Sequence, residues 1–401
     1  MAVAKKMRDF VENGSMIRKM FEEGARLKKI HGSDKVYDFS LGNPNLPPPE
    51  AFKRTLRAVV EADELELHAY MPNAGLAEAR SAIAERASAE QGLAVDSSHV
   101  VVTCGAAGAL NIVFKALLDP GDEVLVSSPY FVEYGFIADN HGGVLRSVPS
   151  ASDFSLDLAA LEAAMGSKTK IVLVNSPNNP TGRIYDRASI EGLARLLERK
   201  SRELGRTIYL VSDEPYRKIV YDGAEVPSVL ASYASSMVAT SYSKDLSLPG
   251  ERIGFVAVNP AADDEAALMG ALALANRILG FVNAPSLMQR VVARIGDACV
   301  DVAQYRRKRD LLALALKPMG YDFSLPEGAF YLFPRCPIAD EPRFVGLLKE
   351  ENILVVPGSG FGAPGYFRIA YCVEDSVIVG AMPGFERAIA KARGLGSALE
   401  R

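Results

Sequence analysis

The 401-residue chain has no tryptophan, only four cysteines and no apolar run long enough to span a membrane. The cysteines form no C-x-x-C pair, and neither they nor the four histidines have the spacing of metal ligands. We therefore expect a reducing compartment, no disulfide scaffold and no metal. The first residues, MAVAKKMRDFVENG, lack the apolar segment of a signal peptide, so we expect a cytoplasmic protein.

The charges almost balance, since 45 Lys and Arg oppose 49 Asp and Glu, for a formal net charge of −4. Such a chain has no large basic field to hold nucleic acid or an anionic membrane. The basic run at 305–309 lies in a predicted helix, where a solvated face is the simpler interpretation. We expect neither nucleic acid nor a membrane as a partner.

The length exceeds what a single hydrophobic core usually serves, so the chain should form two domains. From about Phe52, short β-branched apolar runs alternate with helix-like stretches. Strands that are apolar on both faces favour a mostly parallel sheet between helices, which is an α/β fold. The runs are HVVVTCG, DEVLVSSP, KIVLVNSP, TIYLVSDEP and MVATSYSK.

Both ends of the chain have a different pattern. Residues 15–30 show helical spacing of apolar positions, which predicts an amphipathic surface helix. Beyond about Ser286, one long charged helix, VVARIGDACVDVAQYRRKRDLLALAL, is predicted ahead of strand-like segments, as in a smaller α+β unit. We therefore assign 52–285 to a large domain and combine 1–51 with 286–401 in a small domain.

The most specific segment is SYSKDLSLPGERIGF at 241–255, which places a lysine among small residues after an apolar strand. A lysine that forms an imine must be neutral for part of the time, which burial and nearby cations favour. Ser241, Ser243 and Arg252 offer hydroxyls and a fixed positive charge suited to a phosphate. The segment predicts Lys244 as a nucleophile beside a phosphate site; the alternative is a strand-to-helix turn with an exposed lysine.

Two further segments place polar residues after apolar strands. In DEPYRKIVYDG, Asp213 can pair with a protonated pyridine nitrogen, and Tyr216 can donate to a phenolic oxygen. In VNSPNNPTG, Asn179 offers an amide to the same oxygen and to a substrate carboxylate. Each segment also has a purely structural interpretation, as a helix cap and as a turn.

A turn of small residues follows the strand HVVVT, in VVTCGAAGAL. There the backbone N–H groups of Gly105, Ala106 and Ala107 could approach a phosphate at a helix N-terminus. Small residues also permit simple packing of a helix on a sheet. The G-x-G-x-x-G spacing is missing, which disfavours a nicotinamide site.

These segments, in this order, resemble the class I/II aminotransferases among the fold-type I pyridoxal-phosphate enzymes. The resemblance also covers SLGNPNLPPPE, AYMPNAGLAEAR, SPYFVEY and YFRIAYC, and thus nearly the whole chain. It implies a large domain with a mostly parallel sheet of the seven-stranded type, pyridoxal 5'-phosphate as the cofactor, and a homodimer with shared active sites.

The resemblance also implies roles around the cofactor ring. Lys244 would carry the cofactor and, once released, move protons at the substrate α-carbon. Asp213 would keep the pyridine nitrogen protonated, while Tyr216 and Asn179 bond the ring oxygen. Phe131 occupies the position of an aromatic ring stacked on the pyridine, where many members have tryptophan.

For the phosphate and the substrate, the resemblance implies a second set of roles. Ser241, Arg252 and the turn at 105–107 would bind the phosphate, joined by Tyr70 from the neighbouring subunit. Arg368 would form a bidentate pair with the substrate α-carboxylate. Gly42 would place a backbone N–H near that carboxylate.

Three functions agree with these residues. The first is an aminotransferase with ping-pong turnover to a 2-oxo acid, for which 2-oxoglutarate is the expected acceptor and aspartate the first choice of donor. The second is a lyase that uses the same residues. The fold alone does not decide between the two reactions. The third, a non-catalytic regulator, usually carries a DNA-binding domain ahead of the enzyme-like part, and little chain precedes Gly42 here.

Overall fold

The computed structural model describes residues 2–14, 16–62 and 65–399. The predicted helix start at Ser15 lies outside these residues, and the first long helix begins at Met16. The α-helices are α1 (Lys5–Asn13), α2 (Met16–His31), α3 (Glu50–Glu61), α4 (Ala77–Gln91), α5 (Gly105–Leu117), α6 (Glu133–Asn140), α7 (Leu158–Ala164), α8 (Arg187–Leu204), α9 (Glu265–Ile278), α10 (Ser286–Val292), α11 (Val302–Met319), α12 (Glu341–Glu350) and α13 (Asp375–Leu399). The strands are β1 (Tyr37–Asp38), β2 (Val100–Thr103), β3 (Glu123–Ser128), β4 (Val144–Pro149), β5 (Thr169–Asn175), β6 (Tyr209–Asp213), β7 (Ser236–Ser241), β8 (Gly254–Val258), β9 (Tyr331–Leu332), β10 (Ile353–Leu354), β11 (Val356–Pro357) and β12 (Phe367–Ala370).

The main sheet has seven strands in the order β2-β8-β7-β6-β5-β3-β4. Strands β3 to β7 pair in parallel, whereas β8 runs antiparallel to both β2 and β7. The central strands are buried on both faces because helices cover both: α5, α6 and α9 pack on one, and α3, α4, α7, α8 and α10 on the other. The predicted α/β fold with a mostly parallel sheet is confirmed.

A second hydrophobic core gathers residues from both ends of the chain. Phe39 packs there with Phe330, Phe344, Phe367 and Phe385, which come from the segments around β9, α12, β12 and α13. Two small sheets accompany it: β1 pairs in parallel with β10, and β12 lies antiparallel between β11 and β9. The N-terminal segment and the C-terminal part therefore pack as one unit.

The single long helix predicted after Ser286 is wrong. The structure has two helices there, α10 and α11, with a non-helical connection at 293–301. Helix α10 already ends at Val292, and the connection contains Gly296 at φ +61, a left-handed conformation that a continuous α-helix does not contain. The Asp301 side chain accepts a hydrogen bond from the Ala303 amide to begin the next helix. Helix α10 contributes Met288 to the core beneath the main sheet rather than to the second core.

The parallel strands bring polar residues from distant segments to one edge of the sheet. Asn175, Asp213 and Ser241 are the last residues of the adjacent strands β5, β6 and β7. Since ligands in open α/β sheets bind beyond the carboxyl ends of the strands, this edge is where a site is expected. Within the described residues, no helix combines the length and apolarity needed to cross a bilayer.

Candidate active site

A cavity of about 540 Å³ opens at this edge of the sheet, between the main sheet and the second core. All candidate residues from the sequence except Gly105 and Tyr70 line it. They are Gly42, Ala106, Ala107, Phe131, Asn179, Asp213, Tyr216, Ser241, Ser243, Lys244, Arg252 and Arg368.

Lys244 reaches into the cavity from the loop after β7. Its Nζ donates a 2.9 Å hydrogen bond to the Gly42 carbonyl and lies 5.5 Å from the ring centroid of Phe330. Burial lowers the pKa of Lys244 to about 8; the Arg368 and Arg252 guanidinium groups lower it too, against an opposing effect of Cys372. About a tenth of the amine is therefore neutral at pH 7, far more than at an ordinary lysine, and nucleophilic attack on a carbonyl requires this neutral form.

Asp213 ends β6 and is buried. The Tyr134 hydroxyl donates a 2.6 Å hydrogen bond to Oδ2 of Asp213, whereas Oδ1 has no partner among the described residues. Burial raises the pKa of Asp213 to about 7, although the bond from Tyr134 lowers it. A buried carboxylate with one free oxygen is suited to bind a cationic N–H group, which would restore its ionisation.

Arg368 lies on β12 and is buried in the wall opposite the sheet. Its Nη1 donates a 2.9 Å hydrogen bond to Oδ1 of Asn179, and its Nη2 donates a 2.6 Å bond to the Ser40 carbonyl. Nε has no partner, and no carboxylate of the described residues pairs with this guanidinium. A buried arginine without an anionic partner is suited to bind the carboxylate of a small ligand.

Two tyrosine hydroxyls meet beside Lys244. The hydroxyl oxygens of Tyr216 and Tyr331 are 2.7 Å apart, and burial raises the pKa of Tyr331 to about 12 and that of Tyr216 well above its usual value. Both phenols therefore stay protonated and can donate hydrogen bonds. A Cβ at Gly42 would overlap the Tyr331 hydroxyl, so only glycine fits that position.

An anion cradle forms at the other end of the cavity, where helix α5 begins. Gly105 has φ +72, and a Cβ there would lie 2.9 Å from Nη2 of Arg252. The first backbone N–H groups of α5, the Arg252 guanidinium and the hydroxyls of Ser241 and Ser243 thus converge on one space. A helix N-terminus beside an arginine favours a phosphate.

Phe131 and Tyr70 have contrasting positions. Phe131 forms a wall of the cavity, and its ring meets the Tyr134 ring edge-on at a centroid distance of 5.7 Å. Tyr70 is 94% exposed and is not among the residues that line the cavity. Within one chain, the structure does not bring Tyr70 to the other candidates.

Sequence reasoning missed three residues of this site. Tyr134 holds Asp213, Tyr331 holds Tyr216, and the Asn175 side chain bonds both the Asp213 carbonyl and the Asn179 amide. Tyr134 and Asn175 belong to SPYFVEY and NSPNNPTG, so those motifs carried a signal for them. Tyr331 had no comparable signal, because its segment FSLPEGAFYLFPR reads as an ordinary apolar strand.

The cavity therefore combines a lysine amine, a buried carboxyl group, a helix N-terminus beside an arginine, and a buried arginine that pairs with no carboxylate of the described residues. A family model described as aminotransferase class I and II matches residues 34–379. An aspartate/prephenate aminotransferase of Thermus thermophilus is 33% identical over 361 residues, which cover 88% of this chain and 91% of that protein. An aspartate aminotransferase of Thermotoga maritima is 31% identical over 375 residues, or 92% of this chain and 96% of that protein.

Solved structures agree with the sequence comparison. An amino transferase from Eubacterium rectale superposes with a TM-score of 0.94 at 42% identity, covering 98% of this chain and 99% of that chain. The aspartate aminotransferase of Thermus thermophilus with maleate superposes with a TM-score of 0.84 at 28% identity, covering 97% and 100%.

The chain belongs to the aminotransferase class I and II family. It is a transferase of the fold-type I class that moves amino groups between amino acids and oxo acids and uses pyridoxal 5'-phosphate. The residues of the cavity fit this cofactor, since the free Oδ1 of Asp213 suits the ring nitrogen and the cradle between α5 and Arg252 suits the phosphate.

Proposed function

We propose that the cavity is the aminotransferase active site and that Lys244 is its catalytic amine. The observation that carries this proposal is that Lys244, the unpartnered Oδ1 of Asp213 and the carboxylate-free Arg368 belong to the walls of one cavity. A lysine amine, a buried acid and a buried guanidinium are costly to place together unless a ligand satisfies them.

Each wall of the cavity has a task in holding the cofactor. The N-terminus of α5 at 105–107, with Ser241, Ser243 and Arg252, would hold the phosphate. Asp213 would hold the ring nitrogen, Phe131 would pack against the ring face, and Tyr216 and Asn179 would donate to the ring oxygen. When bound, pyridoxal phosphate supplies a carbonyl carbon for covalent attachment and a ring that withdraws electrons from the substrate α-carbon.

The protein supplies proton transfer and orientation. Arg368 and Asn179 would bind the substrate α-carboxylate, with the Gly42 backbone beside it, and so fix the α-carbon next to the Lys244 amine. Lys244, with a pKa near 8, can take the α-proton as a general base and return a proton as the lysyl ammonium. Asp213 keeps the ring nitrogen cationic, because its ionised form is the one that a bound cation stabilises.

Aspartate is proposed as the first amino donor, with 2-oxoglutarate as the acceptor. The support is that relatives from Thermus thermophilus and Thermotoga maritima are named aspartate aminotransferases. Among the described residues that line the cavity, the cations are Lys244, Arg252 and Arg368, and each already has a role. A distal carboxylate would therefore need a cation from a second subunit.

We also propose a homodimer in which Tyr70 acts in the partner's site. Tyr70 is almost fully exposed, and Leu274 and Ile278 expose 47% and 55% of their surfaces at the end of α9. The two segments are tied together, since Asn276 donates to the Asn73 carbonyl at 2.8 Å and Asn283 donates to the Pro72 carbonyl at 2.8 Å. An exposed patch with a tyrosine and aliphatic residues is suited to a symmetric contact.

The domain division and the compartment are proposals of the same kind. Packing of Phe39 into the C-terminal core supports a small domain built from both ends of the chain. Because residues around 288 pack in the core that covers the main sheet, we propose a boundary after α10 rather than at 285. The free thiols of Cys104, Cys299, Cys336 and Cys372 support a reducing cytoplasm.

A half-reaction assay tests the proposed activity. The purified enzyme is mixed with single amino acids, and the absorbance of its bound cofactor is followed without an oxo acid. A transaminase is converted once to the amine form and stops, and 2-oxoglutarate restores the starting spectrum. Conversion that continues to release product without an oxo acid would indicate the lyase instead. Lys244→Ala is the control and should show no complete cycle.

A further inference from the structure

A buried network of charges lies directly behind the two main catalytic candidates. Asp245 follows Lys244, Glu214 follows Asp213, and both acidic side chains are 2% exposed and lie outside the cavity lining. The last turns of helix α4 contact both of them, through Arg86 for Asp245 and through Gln91 for Glu214. One helix end therefore touches the neighbours of both catalytic residues.

The contacts of Asp245 fix the lysine loop. Nη2 of Arg86 lies 2.8 Å from Oδ2 of Asp245, and Nε of Arg86 lies 2.9 Å from Oε1 of Glu90. The guanidinium also packs 4.7 Å from the ring centroid of Tyr242, which stands two residues before Lys244. The Asp245 carbonyl accepts a 2.7 Å bond from the Val300 amide. The residues on both sides of Lys244 are thus held by one arginine.

The contacts of Glu214 fix the loop after Asp213 in the same way. Its Oε2 accepts from Nη1 of Arg217 at 2.9 Å and from Nε2 of Gln91 at 3.0 Å, and its Oε1 accepts from the Ser212 hydroxyl at 2.8 Å. Lys218 lies 3.9 Å from Glu90, so three acidic and three basic side chains balance in the network.

A buried, hydrogen-bonded ion pair is weak evidence for stability, because apolar residues of similar volume often serve as well. Such an ion pair does hold its two partners in one geometry. The planar guanidinium of Arg86 pairs with the two carboxylates and also stacks on the Tyr242 ring. Small displacements of a catalytic group are costly to rate. We therefore expect this network to fix the positions of the catalytic side chains rather than to add to the stability of the fold.

We propose that Arg86 is a positioning residue, which through Asp245 keeps the Lys244 amine inside the cavity and away from water. The inference rests on the role proposed for Lys244. Arg86 itself is not among the residues that line the cavity. Its effect is on Lys244, whose amine is desolvated only while the loop holds it between Gly42 and Phe330.

The test uses Arg86→Met/Asp245→Asn in the full-length chain, which removes both charges of this pair together and leaves Glu90 with Lys218 at 3.9 Å. The matched control is Arg206→Met/Asp122→Asn. Arg206 binds Asp122 by two hydrogen bonds of 3.0 and 3.1 Å at the opposite edge of the sheet. Melting temperature, kcat and KM for the amino donor are compared for both double variants and the wild type.

A second readout follows Lys244 itself. The full-length protein is freed of cofactor, pyridoxal phosphate is added at a series of pH values, and attachment to Lys244 is trapped with borohydride. Attachment needs the neutral amine, so its pH midpoint reports how far the amine is desolvated. The charged and titratable groups that act on this amine, namely Cys372, Arg368 and Arg252, are intact in every variant.

We expect the Arg86 double variant to keep a melting temperature close to that of the control. Its kcat should fall by about 10- to 100-fold, with KM nearly unchanged because Arg368 and Asn179 are intact. Its attachment midpoint should rise toward the ordinary pKa of lysine, while the control keeps the wild-type midpoint. A wild-type kcat and midpoint in a folded variant would overturn the proposal.

Should the double variant not fold, Arg86→Lys answers the same question. It keeps the positive charge, but an ammonium cannot pair with Asp245 and Glu90 and also stack on Tyr242. The same rise in midpoint and fall in kcat are expected, and wild-type values would again overturn the proposal. If the wild-type protein attaches no cofactor at Lys244, the proposed function is wrong. That result differs from wild-type values in the variants, which would contradict only the role of Arg86.

Discussion

The Tyr134 hydroxyl donates a 2.6 Å hydrogen bond to one carboxylate oxygen of Asp213, and the other oxygen has no hydrogen-bond partner in the described part of the chain. The bond orients the carboxylate and stabilises its ionised form against the burial that raises the pKa of Asp213 to about 7. The free oxygen lies at the carboxyl end of β6, where a cationic ring nitrogen can meet it. In the role proposed for Asp213, this carboxylate would meet the ring nitrogen of the cofactor, and Tyr134 would hold it in place.

Replacement of Tyr134 by phenylalanine should weaken this preparation. Loss of a hydrogen bond to the charged form raises the pKa of Asp213, so the carboxylate ionises only at higher pH. As the pH is lowered, the variant should therefore lose affinity for the cofactor at a higher pH than the wild type does. Its kcat should also drop by about 10-fold. Titration of cofactor binding against pH checks the first, and steady-state kinetics the second.

The control for this change is Tyr233→Phe. Tyr233 is also a buried tyrosine, but its hydroxyl donates to the Ile208 carbonyl at 2.8 Å, away from the cavity. It should leave the pH profile unchanged. A Tyr134→Phe enzyme with the wild-type profile would show that Tyr134 only fills space beside Asp213.

Arg368 should act on every substrate. Because it would bind the α-carboxylate that all amino and oxo acids share, Arg368→Ala should raise KM for each of them by on the order of 100-fold while cofactor stays bound. The control is Arg335→Ala, at an exposed arginine that contacts the Asp322 and Tyr366 side chains and does not line the cavity. If KM rose for one substrate only, Arg368 would instead bind the side chain of that substrate.

Tyr70 should act in the site of the partner subunit. Mixed dimers of Lys244→Ala and Tyr70→Ala chains contain one site with both residues intact, if Tyr70 crosses the interface. The mixture should then exceed the activity expected from the two homodimers. If the hybrids form and no activity is recovered, Tyr70 does not act across the interface.

Lys244 should make the stability of the cofactor-free protein depend on pH. Burial lowers its pKa from 10.5 to about 8. Below pH 8 the folded state therefore contains a buried charged lysine, which lowers the free energy of unfolding. As pH rises from 8 toward 10.5, the folded state is deprotonated first and the cost disappears. Relative to Lys244→Met, the wild type should gain about 3 kcal/mol of unfolding free energy over this window, measured by denaturant titration. A constant difference would contradict the lowered pKa.

The sequence predicted those residues of the site that stand directly beside an apolar strand segment. Lys244, Asp213 and Asn179 each follow an apolar strand, and parallel strands place their carboxyl ends together, so the cluster could be expected. The mostly parallel sheet followed from the same strands. The interruption between α10 and α11, which contains Gly296, was missed because a single glycine in a helical pattern costs only about 1 kcal/mol and is not a reliable stop signal.

The rest of the site depends on contacts between residues far apart in the chain. Tyr134 meets Asp213 across 79 positions, Tyr216 meets Tyr331 across 115, and Arg86 meets Asp245 across 159. No local pattern marks such pairs, because periodicity shows which face is apolar but not which polar side chains find one another. Arg86, on a helix, reads as a solvated cation until the packing of α4 is known.

Reductive labelling identifies the lysine that carries the cofactor. The holoenzyme is treated with borohydride, digested, and the peptide that carries the reduced cofactor is sequenced. We expect one labelled residue, Lys244, within SYSKDLSLPGER, and no label in Lys244→Ala. A label on another lysine of the wild-type protein would contradict the assignment of this cavity as the active site.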